Sequence, residues 1–381
     1  PTDAELKQIR TYTLSTVRGT VQADQLKESM GQNTLVFNLD TALRMMGDVA
    51  EFYVENNVRN HYFVSISGYH IAEAGANPIT QAALTLSNGL TYVELFKARG
   101  IDPNKFLRNF SWFFSNGMDP EYAVIGRVAR RIWAIAMRDL YGVDERSQKL
   151  KYHIQSSGRS LHAQEHTWND YRTTLQALYA LSDNANSLHT NSRDEAFGTP
   201  TEETVRDSMA IQLILSKEYG WLQNENPIQG SHITSWLTDT VEEEILKIFE
   251  EMHRRGGVLG ALEVNYQRNR IQDESMIYEH RKHSGELPII GVNTFEEDLD
   301  NTNESNDEED FDIEVTRSNK AERMMVIERN QKFKKTHSKE AEAGLEKLKQ
   351  VARDGGNLFE VMLEIVEYCS VGQVTQALFE T

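Results

Sequence analysis

Apolar positions along this chain follow two spacings, one typical of strands and one typical of helices. Short runs rich in β-branched and aromatic residues predict strands over 13–21, 63–67, 107–115, 151–155 and 186–190. Between these runs, apolar residues that recur every three or four positions predict helices over 41–57, 79–98, 121–141, 166–181 and 202–218. Strands that alternate with helical crossovers imply an α/β fold with a parallel sheet, and so many units favour a (β/α)8 TIM barrel.

The pattern changes in the last third of the chain. Helices are predicted over 241–255 and 260–282, followed by a final strand over 288–293. This gives about six strands where a barrel needs about eight, so we expect two strands upstream of residue 1 and regard the chain as a piece of a longer protein. The predicted domains are a partial barrel at 1–294, an acidic loop or linker at 295–320, and a helical C-terminal region at 321–381.

Composition narrows the kinds of partner that the protein can have. The 381 residues are 39% apolar, which is enough for a large core, and the formal net charge is −18. That charge disfavours nucleic acid and anionic membranes, which attract clustered basic residues. The single cysteine, Cys369, cannot form an internal disulfide, and no apolar run approaches the roughly 20 residues that span a bilayer. We therefore expect a cytoplasmic protein.

A tyrosine and a histidine stand at the end of the predicted strand 63–67. Gly68 allows the backbone to turn there, and Tyr69 and His70 follow it directly. Side chains at the carboxyl end of a strand in a β/α unit face the functional site. A histidine in this position is about as often a structural hydrogen-bonding group as a catalytic one, so the pattern leaves both roles open.

A pair of histidines four residues apart, His162 and His166, matches the spacing of an inverted zinc-protease motif. Two such histidines can bind zinc from one helix face, but a zinc protease needs a third ligand and a shielded site. The segment follows Gly158 as a loop that enters a helix, which favours no metal site. The sequence also lacks a glycine-rich P-loop, so we expect no nucleotide triphosphate on this chain.

Three longer blocks carry a family resemblance: RGTVQADQLKE at 18–28, SISGYHIAEAGAN at 65–77 and NSLHTNSRDEAFGTPTEET at 186–204. In this order they resemble the substrate domain of the coenzyme B12-dependent acyl-CoA mutases, from about Arg18 to the C-terminus. Within the family, the chain is most similar to isobutyryl-CoA mutase in the fused form that carries its own GTP-binding domain.

The resemblance implies a radical carbon-skeleton rearrangement that interconverts isobutyryl-CoA and n-butyryl-CoA with adenosylcobalamin as cofactor. The Asp-x-His-x-x-Gly pattern that ligates cobalt in the family is missing from these 381 residues. The cobalt ligand is therefore expected on another domain or subunit, and no metal ligand on this chain. Pivalyl-CoA, 2-hydroxyisobutyryl-CoA and methylmalonyl-CoA remain open as substrates, as does a non-catalytic fragment that only binds acyl-CoA or serves assembly.

The resemblance also implies roles for individual residues at the acyl end. His70 would donate a hydrogen bond to the thioester carbonyl, and Tyr69 would either enclose the reacting groups or simply pack. Gln32 aligns with an arginine of methylmalonyl-CoA mutases, and a neutral amide disfavours a second substrate carboxylate. The alternative for Gln32 is a surface position on a helix. Thr20 and Gln22 belong to a GTxQ pattern that points to the same end.

The remaining candidates concern CoA, the cofactor and a further domain. By resemblance, the CoA contacts are Arg18, Tyr62, Ser111, Arg146 and Lys151, the adenosyl contacts are Gln155, Asn191 and Glu195, and Glu263 faces the GTP-binding domain. Solvated surface charge is the alternative for the cations, and a satisfied polar network at the barrel mouth is the alternative for Asn191. The implied partners are an acyl-CoA, a cobalamin-binding domain or subunit, a GTP-binding chaperone domain with GTP and Mg, and a second copy in a homodimer.

Overall fold

In the computed structural model, which describes residues 2–297 and 317–381, short parallel strands lie side by side in chain order. Their bounds are β1 (Gly19–Thr20), β2 (His61–Tyr62), β3 (Val64–Ser67), β4 (Phe110–Asn116), β5 (Tyr152–Ser156) and β6 (Ser187–His189). Strand β1 pairs with β2, and a second sheet has the order β3-β4-β5-β6. Because Phe63 alone separates β2 from β3, the two sheets continue one another.

Helices connect these strands and also extend the chain beyond them. Their bounds are α1 (Asp3–Thr16), α2 (Gln25–Lys27), α3 (Leu39–Glu55), α4 (Tyr69–Glu73), α5 (Pro78–Ala98), α6 (Pro103–Phe106), α7 (Ile125–Asp139), α8 (Asn169–Ser182), α9 (Glu202–Leu213), α10 (His232–His253), α11 (Gly257–Glu263), α12 (Tyr266–His283), α13 (Lys320–Thr336), α14 (Ser338–Asp354), α15 (Leu358–Ile365) and α16 (Val371–Phe379). None of the helices in the described residues is long and apolar enough to cross a bilayer.

The strand order shows how the sheet is wound. Each strand from β3 to β6 pairs in parallel with the next one along the chain, and a helix lies in each connection. A doubly wound sheet instead reverses its strand order part-way across. The chain is therefore an α/β protein with a singly wound parallel sheet, as the alternating hydrophobic pattern predicted.

The strand predicted over 13–21 is wrong for most of its length. Helix α1 continues through Thr16, and only Gly19–Thr20 is extended. Thr2 and Glu5 form a capping box that starts this helix, with the Glu5 amide donating to the Thr2 hydroxyl over 3.3 Å. The β-branched residues at the start of this segment suggested a strand. They are helical because the capping box starts a helix that extends through them.

The final strand predicted over 288–293 is also wrong. The segment forms a single bridge between Ile290 and Thr294, and Gly291 turns the backbone at a φ of 74°. The Asn293 side chain holds the turn by accepting from the Ile289 amide over 2.7 Å and donating to the carbonyls of Lys282 and Leu287. An apolar run of this length fits a buried turn as well as a strand.

Other predicted elements are confirmed with shifted ends. Strand β4 begins at Phe110 after a 3₁₀ turn at Leu107–Asn109, and α7 begins at Ile125 after another at Pro120–Ala123. The helix predicted over 260–282 is interrupted between α11 and α12, where Asn265 has a φ of 55°. Asparagine tolerates this left-handed conformation better than most residues, so it can end one helix and begin the next.

The outer face of the sheet is packed against helices. Trp112 on β4 meets Trp133 on α7 edge-to-face at 4.7 Å between ring centroids, and Phe114 meets Tyr152 in the same way at 5.9 Å. Gly89 on α5 lies so close that a Cβ there would come within 2.2 Å of the Trp112 ring. Burial of each large side chain contributes about 1.5–3 kcal/mol, so this face anchors the sheet.

The C-terminal helices form a smaller apolar cluster around Leu348 and Ile365 that rests on α3. Arg44 of α3 donates to the carbonyl of Ala352 over 3.2 Å, and Phe359 packs edge-on against Phe52 at 5.2 Å. Helices α13 to α16 thus occupy most of residues 320–379. Most of the predicted acidic loop or linker at 295–320, namely residues 298–316, lies outside the described residues.

Candidate functional site

The inner face of the sheet, opposite the helices, carries mostly small or polar side chains. Parallel register places Ser65 beside Ser111, and Ser67 beside Phe113. Continued across the sheet, this face holds Ser65, Ser67, Ser111, Phe113, Ser115, His153, Gln155, Ser187 and His189. Ordinary (β/α)8 barrels fill their interior with bulky branched residues. Hydroxyl, imidazole and amide groups on this face instead leave room for a polar, elongated ligand.

A sharp corner after β3 presents Tyr69 and His70. The Gly68 amide donates to the Phe113 carbonyl over 2.7 Å, and a Cβ on Gly68 would come within 2.4 Å of the Thr85 hydroxyl. Only glycine therefore fits at this corner without displacing α5. The Tyr69 ring stacks on Phe113 at 4.8 Å and 5°. His70 stands edge-on to both rings, which fixes its orientation.

The environment of His70 favours a neutral imidazole. Its pKa is lowered to about 4, mainly by burial; the Lys27 ammonium contributes in the same direction, and the Glu28 carboxylate opposes the change. Its Nδ1 atom is buried and has no hydrogen-bond partner among the described residues. Unpartnered buried polar atoms are rare in folded proteins and are found at functional sites. His70 is thus held as an uncharged hydrogen-bonding group.

Amides from two strands join at the carboxyl ends of β5 and β6. Gln155 Nε2 donates to Asn191 Oδ1 over 2.8 Å. The Asn191 side chain donates in turn to the Ser156 carbonyl, and its backbone amide donates to the Ser156 hydroxyl, both over 2.8 Å. Asn191 is therefore rigidly placed, while the carbonyl oxygen of the Gln155 side chain remains free for another donor in this part of the chain.

Tyr69 connects the corner to these amides. Burial raises the pKa of its hydroxyl well above the ordinary value, and the nearby carboxylates of Glu73 and Glu195 raise it further. The amides of Asn191 and Gln155 favour the ionised form and partly offset that change. The hydroxyl therefore stays protonated at neutral pH, and Tyr69 can act as a hydrogen-bond donor but not as a base.

Glu73 is a member of this cluster that the sequence analysis missed. It accepts from the Ser157 hydroxyl over 3.0 Å, the Arg159 amide over 2.7 Å and the Ser115 hydroxyl over 3.3 Å. Burial raises the pKa of its carboxyl group, and these donors counteract the rise. Its spacing of three residues from His70 on one helix was the signal that could have identified it.

Gly158 marks the point where these side chains meet. A Cβ added there would lie 3.1 Å from Glu73 Oε2, 3.7 Å from the Tyr69 hydroxyl and 3.7 Å from Glu195 Cγ. The structure therefore brings together five predicted site residues, which we call the carboxyl-end cluster: Tyr69, His70, Gln155, Asn191 and Glu195, with Glu73 added.

The predicted CoA-binding residues lie at the other end of the strands. Ser111 is the second residue of β4, Lys151 directly precedes β5, and the exposed Arg146 lies in the turn before it. Arg18 precedes β1, and Tyr62 pairs with Thr20. At about 3.3 Å per residue, the five steps along β4 from Ser111 to Asn116 separate these CoA-binding candidates, the amino-end group, from the carboxyl-end cluster by roughly 17 Å. Sequence reasoning had not separated the two groups.

Gln32 lies apart from both groups, at the end of a π-helical turn over Glu28–Gln32. Its side-chain oxygen accepts from the Lys27 ammonium over 3.2 Å, and Lys27 also pairs with Glu28 over 2.9 Å. Gln32 borders a cavity of about 310 Å³ that Arg268 and Ala74 also line. Gln22 and Glu263 are exposed and join neither the carboxyl-end cluster nor this cavity in the part of the chain that the structure describes.

A larger cavity, of about 760 Å³, lies between α12 and the loops that follow β3, β4 and β5. His162 lines it and is 8% exposed, whereas His166 begins a 3₁₀ turn and packs against Phe197. The two histidines therefore do not share a helix face. Residues 2–297 and 317–381 hold no group of three or more histidine, cysteine, aspartate or glutamate side chains that could bind a metal ion.

Comparison with known proteins identifies the family. The sequence pattern of methylmalonyl-CoA mutase matches residues 4–381. The chain belongs to the methylmalonyl-CoA mutase family. Family membership confirms the resemblance drawn from residues 18–28, 65–77 and 186–204, the blocks that supply most of the carboxyl-end cluster.

Relatives within this family differ in how much of their length the chain covers. It is 60% identical over 379 residues to the fused isobutyryl-CoA mutase of Geobacillus kaustophilus and 58% identical to that of Nocardia farcinica. All of the chain is aligned, but it covers 34% and 35% of these relatives, so it spans about a third of their length. The large subunit of 2-hydroxyisobutanoyl-CoA mutase from Aquincola tertiaricarbonis is 34% identical over 97% of the chain and 65% of that subunit.

Proposed function

We propose that this chain is the acyl-CoA-binding part of an adenosylcobalamin-dependent mutase that interconverts isobutyryl-CoA and n-butyryl-CoA. The observation that carries the proposal is the polar inner face of the sheet, which leads from exposed cations at the amino ends of the strands to His70 at their carboxyl ends. Chain-order pairing of the strands supports a (β/α)8 barrel over 1–294 in the whole protein. The helices within 321–381 support a separate C-terminal region beyond the acidic segment 295–320.

The amino-end group suits the nucleotide of CoA. Arg18, Arg146 and Lys151 are exposed, so their charges can approach phosphates without a cost of burial. The hydroxyl of Ser111 and those further along the inner face offer hydrogen bonds to the amides of a pantetheine arm. A CoA bound in this way would carry its thioester to the carboxyl-end cluster. Thr20 and Gln22, which lie at the first strand and outside that cluster, are proposed to contact the acyl-CoA along its path.

At that end, His70 would donate a hydrogen bond to the thioester carbonyl. A neutral imidazole with a depressed pKa can donate without transferring its proton, which suits a group that stabilises developing charge on oxygen. The ring of Tyr69, stacked on Phe113, would form a wall that keeps water away from the reacting carbons.

The carboxyl-end cluster fits the adenosyl group of the cofactor. The free oxygen of Gln155 and the exposed carboxylate of Glu195 can accept from ribose hydroxyls, while Asn191 positions Gln155. When bound, adenosylcobalamin supplies the radical chemistry of the rearrangement. This chain supplies the orientation and enclosure of the reacting groups, since its sequence lacks the cobalt-ligating pattern.

The remaining parts of the proposal concern the whole protein. A cobalamin-binding domain would cover the carboxyl-end cluster, and a GTP-binding domain with GTP and Mg would contact the exposed Glu263 at the end of α11. The fused relatives that are 57–60% identical to this chain are named for isobutyryl-CoA, whereas a methylmalonyl-CoA mutase is 33% identical. These similarities support the choice of substrate. A homodimer and a cytoplasmic location complete the proposal.

The test is an assay of the full polypeptide with adenosylcobalamin. Isobutyryl-CoA should be converted to n-butyryl-CoA, as followed by chromatography of the acyl-CoA products. Pivalyl-CoA, 2-hydroxyisobutyryl-CoA and methylmalonyl-CoA serve as comparison substrates in the same assay. Turnover of one of these without isobutyryl-CoA would replace the proposed substrate, and binding of acyl-CoA without any turnover would leave only the non-catalytic alternative.

A further inference from the structure

Asp24 is a buried carboxylate that joins three elements of the fold next to the Gly68 corner. Its side chain is 1% exposed, and its Oδ2 atom accepts from the Ser67 amide of β3 over 2.9 Å. Its Oδ1 atom accepts from the Tyr92 hydroxyl of α5 over 2.6 Å and from the Lys27 amide of α2 over 3.2 Å. Burial raises the pKa of this carboxyl group, and the three donors oppose the rise because they replace lost hydration.

The hydrogen bond to Ser67 replaces a strand partner that β3 lacks on one edge. The Gly68 amide donates to the Phe113 carbonyl of β4, and amides along a strand alternate between its two edges. The Ser67 amide therefore points to the other edge, where no strand pairs with β3 in the described residues. Ser67 is fully buried, so its amide needs an acceptor from the protein. Asp24 supplies that acceptor in place of a backbone carbonyl.

Helix α5 fixes the position of the Asp24 carboxylate. Tyr92, which is fully buried on this helix, donates to Asp24 and accepts from the Leu26 amide over 3.1 Å. The Gly68 corner packs on the same helix, close to Thr85. The end of β3 is thus held by β4 on one edge and by Asp24 on the other, and both the corner and the carboxylate are fixed relative to α5.

His70 depends on this backbone for its own position. It stands three residues after Ser67, and its Nδ1 atom has no hydrogen-bond partner among the described residues. The imidazole is oriented through edge-on contacts with Tyr69 and Phe113, so it moves with the corner that carries it. A shift of the chain at Ser67 would therefore be passed on to the imidazole.

The contacts of Asp24 require a carboxylate and not an amide. Both of its oxygens accept, and two of the three donors are backbone amides that cannot reverse their role. In an Asp24→Asn variant, one orientation of the side chain would direct its amino group at the Ser67 amide. The other orientation would direct the amino group at the Lys27 amide. Either orientation places two donors face to face, so at least one of the two backbone contacts is lost.

We propose that Asp24 is a positioning residue for the reaction, whose carboxylate takes the place of a strand partner at Ser67 and thereby fixes the corner that presents His70 to the thioester. This inference rests on the proposed function, because it takes His70 as the donor to the thioester carbonyl. Asp24 acts through the backbone of β3, since its two oxygens are occupied by Ser67, Tyr92 and Lys27.

The first test compares turnover and binding in the full polypeptide. In Asp24→Asn, kcat for isobutyryl-CoA with adenosylcobalamin should fall about tenfold or more, because a small misplacement of a positioned group is costly. The Kd of isobutyryl-CoA, measured by calorimetry without cofactor, should change by less than about threefold. Both quantities are corrected for the folded fraction, which circular dichroism measures.

Asp183→Asn is the matched control. Asp183 is 2% exposed and also accepts from two backbone amides, those of Gly126 and Arg127, but it joins α7 to α8 and does not contact β3. This variant should lose stability as Asp24→Asn does and keep the kcat of its folded fraction. An equal loss of kcat in the two variants would overturn the positioning role, because both would then act through general destabilisation.

A second readout follows His70 directly and does not depend on turnover. Nuclear magnetic resonance of the cofactor-free polypeptide with isotopically labelled histidine gives its signals, which are assigned by their absence in His70→Gln. The rings of Tyr69 and Phe113 shift these signals, so displacement of the imidazole should move them. Asp24→Asn should move the His70 signals, and Asp183→Asn should leave them in place. Unmoved signals in Asp24→Asn would overturn the inference.

Tyr92→Phe decides if Asp24→Asn fails to fold. It removes one donor and keeps both backbone contacts of Asp24, so kcat should fall by about two- to fivefold and the His70 signals should move. Wild-type kcat with unmoved signals would overturn the inference. Failure of the proposed function would instead show as wild-type protein that lacks isobutyryl-CoA turnover, while the His70 signals still respond to Asp24→Asn or Tyr92→Phe.

Discussion

The two ends of the parallel strands hold their polar side chains in different ways. At the carboxyl ends, Gln155 and Asn191 are joined by a hydrogen bond, and Glu73 accepts from three donors. At the amino ends, Arg146 and Lys151 are exposed, and their side chains make no hydrogen bond or ion pair within residues 2–297 and 317–381. The carboxyl ends of the strands thus hold a hydrogen-bonded network, whereas the amino ends present exposed cations without partners in the described residues.

This difference matches the demands of the proposed reaction. Radical rearrangement requires reacting atoms to be held in a narrow range of positions, which buried and hydrogen-bonded side chains can provide. Phosphates need only positive charge, which exposed cations can supply, but ordering their long side chains costs entropy, so each contact contributes little. Substitutions at the carboxyl ends should therefore have large effects, and those at the amino ends small ones.

The largest effect is expected from His70→Ala. Loss of the hydrogen bond to the thioester should lower turnover of isobutyryl-CoA by about 10²–10³-fold, as is typical when a donor to a developing oxyanion is removed. Binding of acyl-CoA should change by less than about threefold. Steady-state kinetics and calorimetry of the full polypeptide measure the two quantities, and His232→Ala on the exposed start of α10 is the control. A near-normal rate would remove His70 from its proposed role.

A smaller effect is expected from Gln155→Leu, which leaves Asn191 Oδ1 without its donor. The free energy of unfolding should fall by about 1–2 kcal/mol, and affinity for adenosylcobalamin should fall about tenfold. Urea unfolding and spectroscopic titration of the cofactor provide the measurements. Gln148→Leu is a matched control, because Gln148 also makes one hydrogen bond, to the Val143 carbonyl over 2.9 Å, but at the amino end. Equal loss of cofactor affinity in both variants would contradict the difference between the two ends.

Replacement of Arg146 or Lys151 by alanine should weaken acyl-CoA binding about two- to fivefold each, since exposed charges contribute about 0.2–1 kcal/mol. The loss should shrink as salt is raised, because salt screens exposed charges. Lys149→Ala removes a neighbouring exposed cation from the same loop and is the control. The same loss in Lys149→Ala would indicate a diffuse positive field without specific phosphate contacts.

The smallest effect concerns the pH dependence of turnover. Because burial holds the pKa of His70 at about 4, turnover should show no inflection from this residue between pH 5.5 and 8. The free energy of unfolding should depend on pH instead. In the unfolded chain His70 takes up a proton near its ordinary pKa of about 6.5, whereas in the folded protein it stays neutral until about pH 4. The folded state therefore loses stability as pH falls from about 6.5 toward 4. Urea midpoints across this range measure the loss, and it should be shallower in His70→Gln. An unchanged slope in that variant would contradict the depressed pKa.

Much of the local structure follows directly from the sequence. Alternation around Val64–Ser67 and Tyr152–Ser156 predicted two of the strands, because period-two patterns with β-branched and aromatic residues fit a sheet with one packed face. Helix α5 begins at Pro78, and the Asn77 side chain caps it by accepting from the Thr80 amide over 2.9 Å. Asparagine followed by proline is typical of a helix start, so this cap is predictable from the sequence. The family, too, was evident from three blocks of residues.

Other elements depended on contacts that local patterns do not contain. The 13–21 segment has strand-like residues but lies in a capped helix for most of its length, and 288–293 is held as a turn by Asn293. In both cases, side-chain hydrogen bonds outweighed a weak β preference. Such preferences are worth a fraction of a kcal/mol per residue and yield to a good cap or a tertiary contact.

The sequence by itself determined the alternation of strands and helices, the corner at Gly68 and the residue types available for chemistry. Tertiary structure alone decided which distant residues meet: Glu73 with Ser157 and Arg159, Gln155 with Asn191, and Lys27 with His70. It also placed the two groups of candidate residues at opposite ends of the sheet. The physical reason is that neighbour preferences act within a few residues, whereas parallel pairing brings together strand ends that are dozens of residues apart.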